Sequence, residues 1–219
     1  MKLYGVTMSP FVQRVLLAGR IKGHEIALEP PMGGNFRSLE MLAVSPLGRI
    51  PVLDDDGWTL CESDAIIQYL DETLPGPSLL ADTPRDRAKA RCITELAGLE
   101  LAGGLRPAMI CKVFKVADLP QLFDFGVAQF TNGLGAIEKV RDPAHPYAWG
   151  DRPGIADCVL TPLLSLMELI APIAEFGTPL DKTPGLAAYY ERARTDPLLG
   201  RTIDEMREGF RHLTQPQPA

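Results

Sequence analysis

Apolar positions in the first eighty residues switch between two periods. Residues 2–6 and 25–29 are short apolar runs that read as strands. Between them, apolar residues at 11, 12, 15, 16 and 17 fall on one stripe at the helical period. The spacing predicts a helix over residues 10–22, stopped by Gly23. Residues 50–53 and 58–60 are apolar runs on either side of Asp54-Asp55-Asp56-Gly57, and Asp-Gly between such runs signals a hairpin. Residues 62–74 return to the helical period, with Ala65, Ile66, Tyr69 and Leu70 on one face. The order is βαβ, an irregular stretch with one short helix, then ββα.

Pro75, Gly76, Pro77 and Pro84 interrupt the pattern over residues 74–84, which read as a linker. Beyond it the pattern is helical almost throughout. Thr83 followed by Pro84 is a helix start, with a hydroxyl N-cap and a proline at the first helical position. That helix is expected to kink at Gly103-Gly104 and Pro107. Further helices are predicted over residues 119–139, 155–173, 185–195 and 197–212, and the terminal TQPQPA is expected to fray. Two domains result, residues 1–78 and 85–213. Residues 159–174 form the most apolar stretch. Interrupted by Pro162, Glu168 and Pro172, it reads as too short for a bilayer and as a buried helix instead.

Composition narrows the function classes. Of 219 residues, 46% are hydrophobic and 23% charged, so the chain is globular rather than disordered. The net charge of −6 lacks the basic footprint that nucleic-acid binding requires. The N-terminal MKLYGVTMSPF has no continuous apolar core, so no secretory signal is expected. The four cysteines (Cys61, Cys92, Cys111, Cys158) are scattered and read as free buried thiols; two disulfides would need an oxidising compartment. His24, His145 and His212 show no ligand spacing, so no metal site is expected.

Three stretches carry candidate chemistry. Ser9-Pro10 opens the first helix. The hydroxyl reads as a cap, and equally as a donor to an anion, a thiolate among them, at a helix N-terminus. Ile50-Pro51 opens a strand. It reads as an ordinary edge, or, with a cis bond, as backbone turned toward an extended ligand. Glu62-Ser63-Asp64 opens the third helix. It is a favourable acidic start, and Ser63 with the free N–H groups can hold a carboxylate while Glu62 holds an ammonium.

Together these stretches resemble a known family. S-P-F-x-x-R-V at residues 9–15, S-P-L-G-R-I-P-V-L at 45–53 and E-S-x-A-I-x-x-Y-L at 62–70 are similar to the cytosolic glutathione transferases, and the likeness covers nearly the whole chain. Ser9-Pro10-Phe11 looks most like the serine-type classes, tau in particular. The resemblance implies an α/β thioredoxin-like N-terminal domain and an all-α C-terminal helical domain. It implies glutathione as co-substrate without a tightly bound cofactor, a small hydrophobic electrophile, and a cytoplasmic homodimer with neither nucleic acid nor membrane as partner. By resemblance Ser9 is catalytic and donates to the glutathione sulfur. Ile50 precedes the cis Pro51 and pairs with the cysteinyl unit. Glu62 and Ser63 hold the γ-glutamyl end, and Arg37 and Arg49 lie near the glycyl carboxylate. Met8, Phe11, Arg106 and Met109 wall the electrophile pocket. Arg106, Lys112 and Lys115 either meet an anionic substrate or form a solvated face. Tyr4 and Thr7 are reserve hydroxyls, and Cys61 reads as strand-end core. Two family positions differ: Ser45 stands where asparagine is usual, and Gly154 replaces the hydroxyl of the box completed by Asp157.

Three activities fit this resemblance. The first is a transferase whose thiolate attacks an electrophile. The second is a glutathione-dependent isomerase of the zeta type, although zeta members usually carry Ser-Ser-Cys where this chain has Met8-Ser9-Pro10. The third is a non-catalytic binding or assembly module.

Overall fold

The structure is a computed structural model. It describes residues 1–214, with side chains as far as His212; residues 215–219, most of the tail expected to fray, lie outside the described residues. Strands β1 (Lys2–Tyr4), β2 (Ala27–Glu29), β3 (Val52–Asp55) and β4 (Trp58–Cys61) form one sheet in the order β2-β1-β3-β4. β1 and β2 are parallel, joined through α1 (Pro10–Ile21), and the other pairs are antiparallel. The Asp-Gly turn makes the expected β3–β4 hairpin: Gly57 takes the left-handed conformation, and Asp54 Oδ1 accepts its N–H at 2.7 Å. α2 (Leu39–Val44) fills the irregular stretch and α3 (Ser63–Thr73) follows the hairpin.

The linker between α3 and α4 (Pro84–Leu96) is clamped rather than loose. Lys22 Nζ donates to Asp71 Oδ1 at 3.0 Å and to the Pro77 carbonyl at 3.3 Å. Asp71 in turn accepts the Leu79 N–H at 2.8 Å, and the Leu79 carbonyl accepts the Ile155 N–H at 2.8 Å. The helical half continues with α5 (Ala102–Ala108), α6 (Pro120–Val140), α7 (Ile155–Ala174), α8 (Pro184–Thr195) and α9 (Pro197–Thr214). α1 lies at the centre of the molecule. All its residues but Phe11 are buried, because it packs on α3, α7 and α9 and its apolar side chains share one core with Leu3 and Leu53 of the sheet.

Two features differ from the sequence pattern. α7 is unbroken for 20 residues, with Pro162 and Pro172 inside it. It is therefore long and apolar enough to cross a membrane by length and composition, contrary to the expectation from its prolines. It is instead the buried core helix expected, with most of its surface covered by neighbours. The second feature is the helix after residue 84. The backbone irregularities are π turns at Ala97–Leu101 and Met109–Val113, on either side of Gly103-Gly104. Gly104 instead permits close approach of α6. A Cβ there would stand 2.5 Å from the Phe130 N and 2.6 Å from the Gly126 carbonyl oxygen. Gly104→Ala is expected to cost about 1–3 kcal/mol by overpacking backbone against backbone. A fall in the denaturant midpoint at unchanged slope would report it.

Asp157 secures the N-terminus of α7. Its carboxylate accepts the Gly154 N–H at 2.9 Å, closing the box although Gly154 offers no hydroxyl. It also accepts the Ala148 N–H at 2.8 Å and the Tyr189 hydroxyl at 2.9 Å. Burial pushes this carboxyl up to about 6, against those three donors and the charge of Arg141.

Candidate active site

The loop leaving β1 turns at residues 6–9, where the Ser9 N–H donates to the Val6 carbonyl at 3.1 Å. Ser9 has extended backbone (φ −75°, ψ 123°), and its Oγ accepts the Val12 N–H at 3.4 Å as the N-cap of α1. Pro10 follows at the first helical position, with φ preset for the helix. The cap uses Oγ as an acceptor, so the hydroxyl proton remains available to a ligand. The helix N-terminus beside it favours negative charge. Ser9 opens onto a cavity of about 790 Å³ between the sheet half and the helical half.

On the sheet side, the Ile50–Pro51 bond is cis, and both residues line the cavity. Ile50 precedes the sheet ladder, which begins at Val52, so no strand claims its N–H and C=O. The chain then turns sharply from β4 into α3 at Glu62, whose φ of 70° and ψ of 109° are rarely adopted by a residue with a side chain. Such a conformation costs on the order of 1–3 kcal/mol and persists where the surroundings enforce it. It brings Glu62 and Ser63 together on the wall of the cavity that Arg49 also lines. Glu62 makes no side-chain capping bond to α3, so its carboxylate is unclaimed there.

The opposite wall comes from helices far apart in sequence. Ala102, Arg106 and Met109 present one stripe of α5 and the π turn after it, at i, i+4 and i+7. Leu163 and Leu166 come from α7, Gly209 and His212 from α9. Met8 and Phe11 line the cavity beside Ser9, as does Thr7. Among the described residues, Arg106 has neither an ion pair nor a hydrogen bond through its guanidinium. His212 is paired, its Nε2 lying 3.1 Å from Glu208 Oε1.

Some singled-out residues lie elsewhere. Arg37 is exposed and is not among the cavity-lining residues. It lies over the rim, where a Cβ on Gly48 would be 3.6 Å from its Nη1. The intervening glycine loop holds it outside. Lys112 stacks over the Phe123 ring at 5.0 Å, so it turns toward α6, and Lys115 is exposed on the loop that follows. Tyr4 points along the sheet and donates to Asp54 Oδ2 at 3.4 Å. Phe114, like Met109, lines the cavity. Cys61 ends β4 as expected but is half-buried and lines the cavity. All four thiols are free, yet Cys158 alone is buried: Cys92 on α4 is exposed, Cys61 is half-buried at the cavity wall, and Cys111 is half-buried away from it, with its Sγ 3.8 Å from the Leu119 carbonyl oxygen. Ser45 takes the turn position without loss: it accepts the Arg49 N–H at 2.9 Å and donates to the Arg49 carbonyl at 2.8 Å. Phe36 also lines the cavity; neither it nor the α9 contribution has a signal in the sequence, since those contacts are set by packing between distant segments.

Comparison with known proteins follows the same division of the chain. Residues 3–78 match the family model of the glutathione S-transferase N-terminal domain, and residues 117–192 that of the C-terminal domain. The chain is 33% identical over 204 residues to the maleylacetoacetate isomerase of Pseudomonas aeruginosa, covering 90% of this chain and 92% of that protein. Among solved structures it is similar to a maleylacetoacetate isomerase from Methylobacterium extorquens AM1 with bound malonate and GSH. That match has a TM-score of 0.78 and 25% identity and covers 100% of both chains. It is also similar to a tau-class glutathione S-transferase from mango, Mangifera indica, at a TM-score of 0.78 and 26% identity, over 97% of this chain and 96% of the other.

Proposed function

The chain belongs to the glutathione S-transferase family, and from that premise we propose that it is a glutathione-dependent cis–trans isomerase of maleylacetoacetate or a close analogue. One observation carries this reading above the conjugating transferase placed first by the sequence: the relative at 33% identity over 90% of the chain is an isomerase. Conjugation is the second reading. The Met8-Ser9-Pro10 stretch in place of the usual zeta Ser-Ser-Cys favours it. The cytoplasmic homodimer expected from the resemblance belongs to the proposal as well.

The residues present fit glutathione. The tripeptide carries one ammonium, two carboxylates and a thiol. Facing it are the Glu62 carboxylate, Ser63 at the N-terminus of α3, the Arg49 guanidinium, the unladdered Ile50 backbone and the Ser9 hydroxyl, all on one cavity. When bound, glutathione supplies a nucleophilic sulfur that adds reversibly to the cis double bond and leaves unchanged once the carbon–carbon bond has turned. Ser9 donates its O–H to the sulfur and holds it as thiolate, assisted by the α1 N-terminus. Lowering a thiol pKa by two units needs about 2.7 kcal/mol. A hydrogen bond to a charged group supplies roughly 1.5–3 kcal/mol, so the hydroxyl and the helix end suffice together. Glu62, Ser63 and Ile50 fix the tripeptide so that the sulfur meets the double bond in one orientation. Phe11, Met109 and the α7 leucines exclude water around the reacting carbons.

Maleylacetoacetate is a dicarboxylate, and Arg106 is the unpaired cation on the helical wall among the described residues. Arg106 anchors a substrate carboxylate in this reading. Arg106→Met is expected to raise KM for a cis-unsaturated dicarboxylate by about tenfold, the loss of roughly 1.4 kcal/mol, with KM for glutathione and for a neutral aryl halide unchanged. Steady-state kinetics on the three substrates checks it. An equal loss on the neutral electrophile would remove Arg106 from carboxylate binding, and absence of any isomerisation by the wild type would remove the isomerase reading.

A further inference from the structure

Gln13 is polar, fully buried, and one turn past Ser9 in α1. Its Nε2 donates to the Thr7 carbonyl at 2.9 Å and to Glu205 Oε2 at 3.2 Å. Thr7 belongs to the turn that delivers Ser9 to the cavity. Glu205 lies on α9, 192 positions away. It is held by Arg20 through both oxygens, at 2.7 and 2.6 Å, and by Arg201 at 2.9 Å. Burial pushes the Glu205 carboxyl up, but Arg20, Arg201 and Gln13 outweigh it and keep it below its ordinary value, so it stays ionised.

One turn further along α9, Gly209 meets the same loop. A Cβ there would collide with Thr7 Oγ1 and stand 2.8 Å from the Met8 N. Two separate contacts thus run from one face of α9 to the two residues before Ser9. Docking α9 onto the core is already accomplished by the Arg20–Glu205 and Arg201–Glu25 ion pairs. Neither requires a buried amide aimed at the Thr7 carbonyl, nor a glycine against Met8.

We infer that α9 positions the Ser9 hydroxyl. Gln13 carries the restraint from Glu205 to Thr7, Gly209 applies it directly to Thr7 and Met8, and all three are positioning residues. The inference rests on the reading of Ser9 as the residue that stabilises the glutathione thiolate. Because Gly209 and His212 also line the cavity, the helix bordering the second-substrate half is the one that sets the hydroxyl. A substrate that displaces α9 would thereby change thiolate stability.

Two variants test this from opposite ends. Gln13→Leu removes the relay and leaves Glu205 with both arginines. Gly209→Ala presses on the loop while improving intrinsic helix propensity. The readouts are ultraviolet titration of the bound glutathione thiolate and hydrogen exchange at the Ser9 amide in the ligand-free protein. Both variants should raise the apparent thiol pKa and lower kcat by about tenfold, with the glutathione Kd changed by less than about threefold. Exchange at the Ser9 amide should quicken by about tenfold. Arg207→Ala, on α9 but paired with Asp204, should leave all of these at wild-type values. If both folded variants retain the wild-type thiol pKa and the wild-type Ser9 exchange, the inference is overturned. If the wild type itself shows no lowered thiol pKa, the reading of Ser9 fails and the inference with it.

Discussion

Ser9→Ala is expected to reduce kcat/KM for glutathione-dependent turnover by roughly 10–150-fold, the equivalent of losing one hydrogen bond of about 1.5–3 kcal/mol to a charged partner. The loss should fall on the thiolate and not on tripeptide binding, because Ile50, just before β3, and Glu62 and Ser63, at the start of α3, are untouched. The glutathione Kd should therefore hold within about threefold. The dependence of kcat on pH should move upward, since a thiol without its donor ionises closer to its ordinary value near 8.5. The protein should stay folded, as the Ser9 cap contributes about 1 kcal/mol. Thermal melting separates this outcome from unfolding. A variant with wild-type turnover would assign activation to Thr7 or to another hydroxyl.

The second large effect concerns stability. Asp157→Ala removes the acceptor of the half-buried Gly154 N–H, of the buried Ala148 N–H and of the Tyr189 hydroxyl, whose remaining partner is Thr161 Oγ1 at 2.7 Å. At about 1–3 kcal/mol per orphaned donor, offset by relief of a buried charge, the expected cost at pH 7 is about 2–5 kcal/mol. For a chain of this size that is a fall in Tm of roughly 5–15 °C. Asp157 also gives stability a pH dependence. Its carboxyl is pushed up to about 6 in the fold, from an ordinary 3.8. The folded form therefore keeps a proton that the unfolded chain has lost between these values. The stability from that proton is full below about pH 4 and is lost as pH rises through about 6. Asp157→Asn cannot titrate, so its stability deficit relative to wild type should narrow between pH 4 and pH 7. Denaturant melts of both proteins across that range check the sign. A deficit that widens would mean that the carboxyl is ionised throughout.

The parts of the fold set by local pattern are legible in the sequence. The stripe from residue 11 to 17 marks α1, and the Asp-Gly turn marks the β3–β4 hairpin. Thr83-Pro84 marks the start of α4, where Thr83 Oγ1 accepts the Asp86 N–H at 3.2 Å. The sheet side of the cavity was readable for the same reason. Ser9, Ile50, Glu62 and Ser63 sit where one element begins or ends, and such ends have chemical signatures. What could not be read depends on partners distant in sequence. Gly103-Gly104 looks like a hinge until Gly126 and Phe130 of α6 are seen against it. Lys112 and Arg106 are alike as cations six positions apart. The π turn after α5 and the Phe123 ring decide which one faces the cavity. Arg37 is near the site in sequence pattern and lies outside it in space, because the glycine loop at Gly48 intervenes. The choice between isomerase and transferase was the least legible. The Met8-Ser9-Pro10 stretch points toward conjugation and the relative at 33% identity toward isomerisation, while the wall from α5, α7 and α9 that faces the second substrate has no local motif.

The most direct test of glutathione-dependent isomerisation is a mass balance. The purified protein is given maleylacetoacetate with glutathione at about one tenth of its concentration, and the olefinic protons are followed by NMR. An isomerase returns glutathione after every cycle. Complete conversion of the cis to the trans form is expected, with no reaction without glutathione and full recovery of free thiol at the end. Conversion that halts when the glutathione is exhausted, with the thiol held in a stable thioether, would contradict it and establish conjugation instead.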